Sequence, residues 1–388
     1  MLRFKHKEAP QPPRLALVMS GGGARAAYQV GFLQCLARHF PELHFPIITG
    51  VSAGAINAVY LAAHPGSLME AADDLASIWC NLKTSKIYRT SGASIGRQVV
   101  RWGWRLLAGG TLFGKKARGM VDTRPLRKLL QTHVGARKGP IPGIARNIAA
   151  GKLKAVAVAT TNYSTGRSVV WVEGKDVQPW KRDNRMGLLT RITVEHVMAS
   201  AALPFFFPAV RIGNMWYGDG GIRLVAPLSP ALELGADRIL AVSTQYRKSD
   251  TEHFQLVYQY PSPAEIIGVL LNAIFLDTLD RDAEILERIT RLVRKLPEDE
   301  REGLRPVASF ILRPSVNLAR LAGQYEPQLP PTLRFMLQGM GAQEASSPDW
   351  LSMLMFEREY VTRLIEIGRR DAEERVDEIA EVLMLEKA

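Results

Sequence analysis

Short apolar runs, glycine turns and helical stretches alternate along the first part of the chain. Residues 14–20 form an apolar run, which is followed by three glycines and by helical spacing over residues 24–40. A second run, residues 45–49, leads into Gly-Val-Ser-Ala-Gly and a helical stretch over residues 55–64. Runs that are apolar throughout are typical of strands covered on both faces. The pattern therefore predicts an α/β sheet flanked by helices on both faces.

The second half of the chain changes from strands to helices. Strands are predicted at residues 153–161 and 168–173, joined by a polar turn, and at residues 238–244. From residue 261 helical spacing with mixed charges dominates. It predicts helices over residues 264–296, 329–337 and 350–385, and an edge strand over residues 307–312. We therefore expect a largely helical C-terminal region.

These patterns divide the 388 residues into three parts. We expect a flexible leader at residues 1–13, a catalytic α/β core at 14–245 and a mostly helical region at 246–388. The first residues are basic and proline-rich, without the apolar centre of a signal peptide. The uncharged stretch at residues 266–276 is shorter than the roughly 20 residues that span a bilayer. We expect a cytoplasmic protein without a Sec signal peptide or transmembrane helix, associated peripherally with membranes.

Composition excludes some classes of protein and localises the charge. Hydrophobic residues make up 47% of the chain, which excludes general disorder. Two cysteines are too few for a disulfide framework or a four-ligand zinc site. The net charge of +12 comes from residues 81–140, which hold fourteen basic residues and one acid, Asp122. The remaining chain is nearly neutral, so basicity belongs to one segment.

The centre of this segment interleaves basic residues with tryptophan, as helices in a membrane interface do. The predicted membrane contacts are Arg101, Trp102, Trp104, Arg105, Lys115 and Lys116. A solvated basic face with its tryptophans packed on the core is the alternative. Nucleic-acid binding is a third interpretation, which we set aside because no nucleic-acid motif accompanies the charge. We expect an anionic membrane surface as partner and no nucleic acid.

Gly50-Val-Ser52-Ala-Gly54 lies between the second predicted strand and the following helix, the context of a nucleophile elbow. A sharp strand-to-helix turn crowds the backbone, and Gly50 and Gly54 leave room around the serine. The turn would lift the Ser52 hydroxyl above the sheet and aim a helix N-terminus at it. A tight structural turn is the alternative. We predict that Ser52 is the nucleophile of a serine ester hydrolase.

Such an enzyme also needs donors for an oxyanion, and Gly21, Gly22 and Gly23 follow the first strand. Backbone amides at the start of a helix carry partial positive charge, which suits a developing O⁻. Arg25, in the first helical turn, is predicted to add charge to the oxyanion hole or to lock the loop. A salt bridge that only holds the turn is the alternative.

The same glycines also satisfy a dinucleotide-binding fingerprint, Gly21-x-Gly23-x-x-Ala26, with Glu42 at the distance of a ribose contact. An oxidoreductase is therefore a competing hypothesis. Glu42, however, precedes the second strand, and the end of that strand is occupied by the serine elbow. The hydrolase interpretation is the better of the two.

A serine nucleophile needs a base, and of the seven histidines only His253 is late enough for an α/β-hydrolase triad. Its polar surroundings indicate a solvated loop. Asp219 follows an apolar stretch at residues 203–210 and is flanked by glycines. Apolar surroundings raise a carboxyl pKa, which improves its match to a serine proton. A surface Asp-Gly turn is the alternative to a catalytic Asp219.

In combination and order, these motifs resemble those of the patatin-like phospholipase family. Gly21–Arg25 is similar to its oxyanion loop, Gly50–Gly54 to its elbow and Asp219-Gly-Gly to its D-G-G motif. The segment Ala199-Ser-Ala-Ala-Leu-Pro204, with Phe207-Pro208, resembles the lead-in to that motif. The resemblance covers residues 14–245. Two positions depart from the family pattern, Ala26 where a glycine is usual and Val225 where an asparagine is common.

The resemblance implies a Ser52–Asp219 dyad, a patatin-like sheet and hydrolysis of lipid acyl esters at a membrane surface. It implies no metal and no cofactor. A phospholipase A or lysophospholipase that works through an acyl-serine is the function we expect. A non-catalytic, membrane-binding regulatory member of the fold is the principal alternative.

Overall fold

The computed structural model describes residues 14–89, 119–247, 263–275, 277–331, 334 and 349–384. Within these ranges, ten strands form one mixed sheet. They are β1 (Leu15–Met19), β2 (Ile47–Val51), β3 (Ala155–Asn162), β4 (Ser168–Gly174), β5 (Trp180–Lys181), β6 (Arg185–Leu189), β7 (Val210–Ile212), β8 (Met215–Asp219), β9 (Arg238–Val242) and β10 (Ala308–Leu312). Their order is β10-β9-β1-β2-β3-β4-β6-β5, while β8 pairs with β3 and β7 with β8.

Helices connect and cover these strands. They are α1 (Ala27–His39), α2 (Ala53–Ala63), α3 (Leu68–Cys80), α4 (Thr84–Ile87), α5 (Arg124–His133), α6 (Pro142–Ala149), α7 (Val194–Ser200), α8 (Ser229–Glu233), α9 (Pro263–Phe275), α10 (Asp277–Val293), α11 (Leu318–Gly323), α12 (Asp349–Leu354), α13 (Arg358–Glu373) and α14 (Val376–Met384). No helix in these ranges is long and apolar enough to cross a membrane.

The central strands run in parallel, and both faces of the sheet are buried. β10, β9, β1, β2 and β3 pair in parallel, so the loops that follow them emerge at one edge. Along β1, Leu17 and Met19 enter one apolar cluster, whereas Ala16 and Val18 enter another. This alternation explains why the strand is apolar throughout, and it confirms the predicted α/β class with helices on both faces.

All six predicted strands are present, but β5, β6, β7 and β8 were missed. The six predicted strands correspond to β1, β2, β3, β4, β9 and the edge strand β10. β7 and β8 form a hairpin whose connection is Gly213-Asn214, a dipeptide that favours such turns. The helical stretch predicted over residues 264–296 contains α9 and α10.

The C-terminal helices pack directly on the core. α13 crosses α1 at two glycines, each of which faces the backbone of the other helix. A Cβ on Gly31 would lie 2.0 Å from the Ile365 carbonyl oxygen, and a Cβ on Gly368 would lie 2.0 Å from the Tyr28 carbonyl oxygen. Only glycines allow two helices to approach so closely. The predicted leader at residues 1–13 lies outside the described residues.

Candidate active site

Ser52 occupies the sharp turn between β2 and α2. Its φ of 56° lies in a region that non-glycine residues rarely adopt, so the surrounding packing must hold it there. A Cβ on Gly54 would lie 2.3 Å from the Ser20 carbonyl oxygen, and one on Gly50 would lie 2.6 Å from the Gly54 oxygen. Both glycines of the predicted elbow are therefore required by close backbone contacts.

The Ser52 hydroxyl donates a hydrogen bond to Asp219 Oδ2 over 2.7 Å. Asp219 ends β8 and is completely buried. The N–H of Gly221 donates to Oδ1 of the same carboxyl group at 2.9 Å, and Thr161 Oγ1 donates to the Asp219 carbonyl oxygen at 2.8 Å. The structure thus brings together two residues that are 167 positions apart in sequence. Asp219 is not a surface turn.

Burial raises the pKa of Asp219 to about 7, while hydrogen bonds from Ser52 and from the Gly221 N–H act in the opposite direction. Desolvation penalises the charged form of a carboxyl group, and no basic side chain of the described residues contributes to the shift. A carboxyl group with this pKa is divided between its acid and base forms near neutral pH. It can accept a proton and return it.

Ser200 is a further residue of the site, one that the sequence prediction did not assign. Its hydroxyl, buried at the end of α7, accepts the backbone N–H of Ser52 at 2.9 Å and donates to the Ala159 carbonyl oxygen at 2.6 Å. It thereby joins the elbow to β3. The signal was present in the sequence, because Ser200 belongs to the segment that leads toward Asp219, but its role needs the tertiary contact.

The glycine loop lies against Ser52. A Cβ on Gly21 would lie 3.0 Å from Ser52 Cβ, and the Gly21 carbonyl oxygen accepts a 2.6 Å hydrogen bond from Thr244 Oγ1. Gly22 and Gly23 have φ values of 138° and 59°, and both line the cavity beside Ser52. The loop needs glycine because of its conformation and because a Cβ on Gly23 would meet the Met353 backbone.

Arg25 is buried and extends toward the C-terminal region. Its Nε donates to Ser352 Oγ of α12 at 2.6 Å. Arg25 is not among the residues that line the cavity. Of the two roles predicted for it, the contact supports locking of the loop.

A cavity lies beside Ser52. Apolar side chains of α2, α3 and α5 form part of its wall, and Phe275 and Met353 lie at the Ser52 end. Such a surface suits a hydrocarbon chain and gives little to a charged ligand.

The two departures from the motif lie in different environments. Ala26 is fully buried in the main apolar cluster, so the core accommodates its methyl group. Val225 is 75% exposed and follows the short helical turn at residues 220–222. Neither residue lines the cavity.

Other candidates do not meet at Ser52. Glu42 is exposed in the turn before β2, so it lies toward the edge opposite the Gly21–Gly23 loop, which follows β1. A ribose contact would require an acid at the end of β2. Of the histidines in the described ranges, His133 is the one that lines the cavity. His253 and the six predicted membrane contacts at residues 101–116 lie outside those ranges.

One cluster within the described part of the chain has metal-ligand chemistry. The ligand atoms of Cys35, His39 and Glu373 lie within 4.8 Å of one another, on α1 and α13. These groups already bond to each other, His39 Nε2 to Glu373 Oε1 at 2.7 Å and Cys35 Sγ to Oε2 at 3.4 Å. The cluster is separate from the Ser52 cavity.

The chain is similar to known proteins. The patatin-like phospholipase family model matches residues 17–232. No curated protein sequence matches the chain.

Solved structures similar to the chain are human GIVD cytosolic phospholipase A2 in complex with methyl gamma-linolenyl fluorophosphonate (15% identity, TM-score 0.45), VipD from Legionella pneumophila (14%, 0.40) and ExoU in its complex with SpcU from Pseudomonas aeruginosa (16%, 0.30). The alignments cover 96%, 95% and 96% of this chain and 59%, 67% and 77% of those chains. The chain thus spans 59% of the human enzyme's length.

Proposed function

The chain belongs to the patatin-like phospholipase family, and we propose that it is a lipid acyl hydrolase with Ser52 as nucleophile and Asp219 as general base. The observation that carries this proposal is the 2.7 Å hydrogen bond from the Ser52 hydroxyl to a fully buried carboxyl group beside an apolar cavity. A nucleophile within hydrogen-bond reach of its base is the geometry that acyl transfer requires.

In the first step the Asp219 carboxylate takes the Ser52 proton while Ser52 Oγ bonds to the ester carbonyl carbon. The carbonyl oxygen becomes an oxyanion, for which the amides of Gly22 and Gly23 and the α2 N-terminus are the proposed donors. Collapse of this intermediate breaks the ester bond, and Asp219 returns its proton to the departing alcohol. An acyl-serine remains.

In the second step water attacks the acyl-serine and gives a proton to Asp219. The bond between Ser52 Oγ and the acyl carbon breaks, the proton returns to Ser52, and the fatty acid leaves. The raised pKa of Asp219 supports both directions of proton transfer, because a base works best when its pKa is near the working pH. Every proton transfer in this scheme passes through Asp219.

We place the reaction at a membrane surface. On α9, Ile266, Val269 and Leu270 are exposed, although the helix is apolar. Phe275 at the end of the same helix lines the Ser52 cavity. An apolar helix face beside the opening would enter the lipid surface and bring the ester to Ser52. The basic segment at residues 81–140 would add attraction to anionic lipid.

Vesicle sedimentation tests this placement. Anionic vesicles should bind more protein than zwitterionic vesicles, salt should weaken the binding, and Val269→Asp with Leu270→Asp should reduce it at both compositions. Leu296→Asp, also at an exposed apolar residue but outside α9, is the control. Equal salt-insensitive binding to both vesicle types, or binding to neither, contradicts a membrane-surface enzyme.

Profiling of hydrolysis products tests the catalytic proposal. The wild-type protein, incubated with a mixture of phospholipids, lysophospholipids, galactolipids and neutral glycerides, should release free fatty acid, whereas Ser52→Ala and Asp219→Asn should not. Release that survives both substitutions would disprove the dyad. Membrane binding without any release by the wild type would favour the non-catalytic regulatory alternative.

A further inference from the structure

The cavity beside Ser52 follows one face of α2. Ala53, Ile56 and Tyr60 line it, at intervals of three and four residues, which places them on the same side of the helix. Ser52 directly precedes α2, and Tyr60 lies eight residues after Ser52 along this helix. At a rise of 1.5 Å per residue the lined stretch is about 12 Å long.

The two ends of the cavity differ in chemistry. At the Ser52 end, Phe275 and Met353 are buried apolar neighbours. Between the ends the wall is formed by leucine and isoleucine side chains of α3 and α5. The phenol of Tyr60 and the imidazole of His133 line the other end, and both are close enough to Asp74 to feel its charge. Among the described residues, polar groups therefore enter the cavity wall near Tyr60.

We propose that this cavity holds the acyl chain of the substrate with its carbonyl at Ser52, and that its length selects medium chains of about ten carbons. An extended carbon chain with bonds of about 1.5 Å and angles near 111° advances roughly 1.25 Å per carbon, so about ten carbons fill 12 Å. Further methylenes meet the polar groups of Tyr60 and His133 and gain little. This inference rests on the proposed hydrolase function and specifies its substrate.

Each methylene that enters the cavity is removed from water. It should raise kcat/KM about fourfold if it is buried in the transition state. The gain should continue from short acyl chains to about ten carbons, and kcat/KM should fall for longer chains, whose further methylenes would desolvate the polar groups of Tyr60 and His133. A surface that merely attracts lipid would give no such limit, since longer chains would continue to partition more strongly.

A series of p-nitrophenyl esters with acyl chains of four to sixteen carbons, each below its aggregation limit, measures this profile. Wild-type kcat/KM should peak near ten carbons. Ile56→Trp should block the cavity one turn from Ser52, at about 6 Å, and move the optimum to about five carbons. Tyr60→Ala should open the far end and move it to longer chains.

Leu61→Trp is the matched control, because Leu61 is on α2 but borders a different cleft. The acyl-chain length at which the kcat/KM of this variant is highest should be that of the wild type. Melting temperatures show whether each variant folds, and Tyr60→Ala tests the proposal if Ile56→Trp does not fold. A wild-type profile without an optimum, or one that neither variant shifts, overturns this inference alone. No hydrolysis of any ester by the wild type overturns the proposed function as well.

Discussion

Burial of Asp219 determines the proton chemistry at Ser52. The carboxyl group is inaccessible to solvent, and its two oxygens accept hydrogen bonds from the Ser52 hydroxyl and the Gly221 N–H. Desolvation outweighs both bonds, so the pKa rises to about 7. An ordinary aspartate, with a pKa near 3.9, would hold a serine proton too weakly. The sequence shows that residue 219 is an aspartate, but the burial of Asp219 follows from the β7–β8 hairpin.

The first prediction at the scale of residues is a pH profile. Asp219 must be deprotonated to take the Ser52 proton, so kcat/KM should rise tenfold per pH unit below pH 7 and level off above it. Initial rates on an uncharged ester from pH 5 to 9 measure this limb. Thermal melts at each pH exclude unfolding as the cause. A rate that is constant between pH 5 and 7 would contradict the assignment of Asp219 as the base.

The second prediction concerns stability. Because the folded-state pKa of Asp219 lies above its unfolded value near 4, this group favours folding at low pH, and its contribution is lost as pH rises through about 7. Asp219→Asn keeps a polar group without the charge. At pH 8 it should be more stable than the wild type by up to roughly 4 kcal/mol.

Chemical denaturation at pH 5 and pH 8 measures this difference. The gain of Asp219→Asn over the wild type should be larger at pH 8 than at pH 5, because the folded carboxyl group keeps its proton up to about pH 7 whereas the unfolded one loses it near pH 4. A gain that does not change with pH would mean that Asp219 ionises at the same pH in the folded and unfolded protein, which would contradict the raised pKa.

At the scale of elements, α7 supports the elbow between β2 and α2. Ser200, the last residue of α7, accepts the Ser52 N–H and donates to β3 through the Ala159 carbonyl oxygen. The strained φ of Ser52 is held by contacts of this kind. α7 therefore provides neither of the two proposed catalytic residues, but it positions Ser52.

Ser200→Ala should lower kcat with little change in KM. It leaves the buried Ser52 N–H without this acceptor, which costs about 1–3 kcal/mol, or roughly tenfold in rate if it is felt in the transition state. Steady-state kinetics and melting temperatures measure the effect. Ser168→Ala is the control, because the Ser168 hydroxyl is buried without a hydrogen-bond partner among the described residues. Equal losses from both substitutions would contradict a positioning role for Ser200.

Local patterns explain which elements could be predicted. β1, β2, β3 and β9 are apolar runs bounded by turn residues, and these signals are contained within a few positions. The β7–β8 hairpin was missed because its strands mix exposed residues such as Met215 and Trp216 with the buried Tyr217. Its Gly213-Asn214 turn was the available signal. Ser200 could be noticed within a motif, but its partners are 148 and 41 residues away.

At the scale of the whole molecule, the C-terminal region contributes to the active-site environment. β10 extends the sheet beside β9, and α13 packs on α1 through Gly31 and Gly368. Ser352 of α12 accepts a hydrogen bond from Arg25, which lies 327 residues earlier in the sequence. No local pattern encodes a contact of that separation, so the sequence could predict helices there without predicting what they cover.

Gly368→Ala tests this coupling. Its Cβ would meet the Tyr28 carbonyl oxygen at 2.0 Å, so α13 must move away from α1, at an expected cost of about 1–3 kcal/mol. Ester hydrolysis should fall along with the melting temperature, although Gly368 does not line the cavity. Gly323→Ala on α11 is the matched control, since a Cβ there meets nothing within 4 Å. It should leave activity unchanged and raise stability slightly.

The central claim is that Ser52 becomes covalently acylated, and mass spectrometry of the protein tests it most directly. Treatment with a fluorophosphonate probe, followed by peptide mapping, should give one adduct on Ser52. Labelling should be lost in Ser52→Ala and strongly slowed in Asp219→Asn. An active protein that carries the probe adduct on another residue would contradict the account. Ester hydrolysis by a protein whose Ser52 does not react with the probe would contradict it as well.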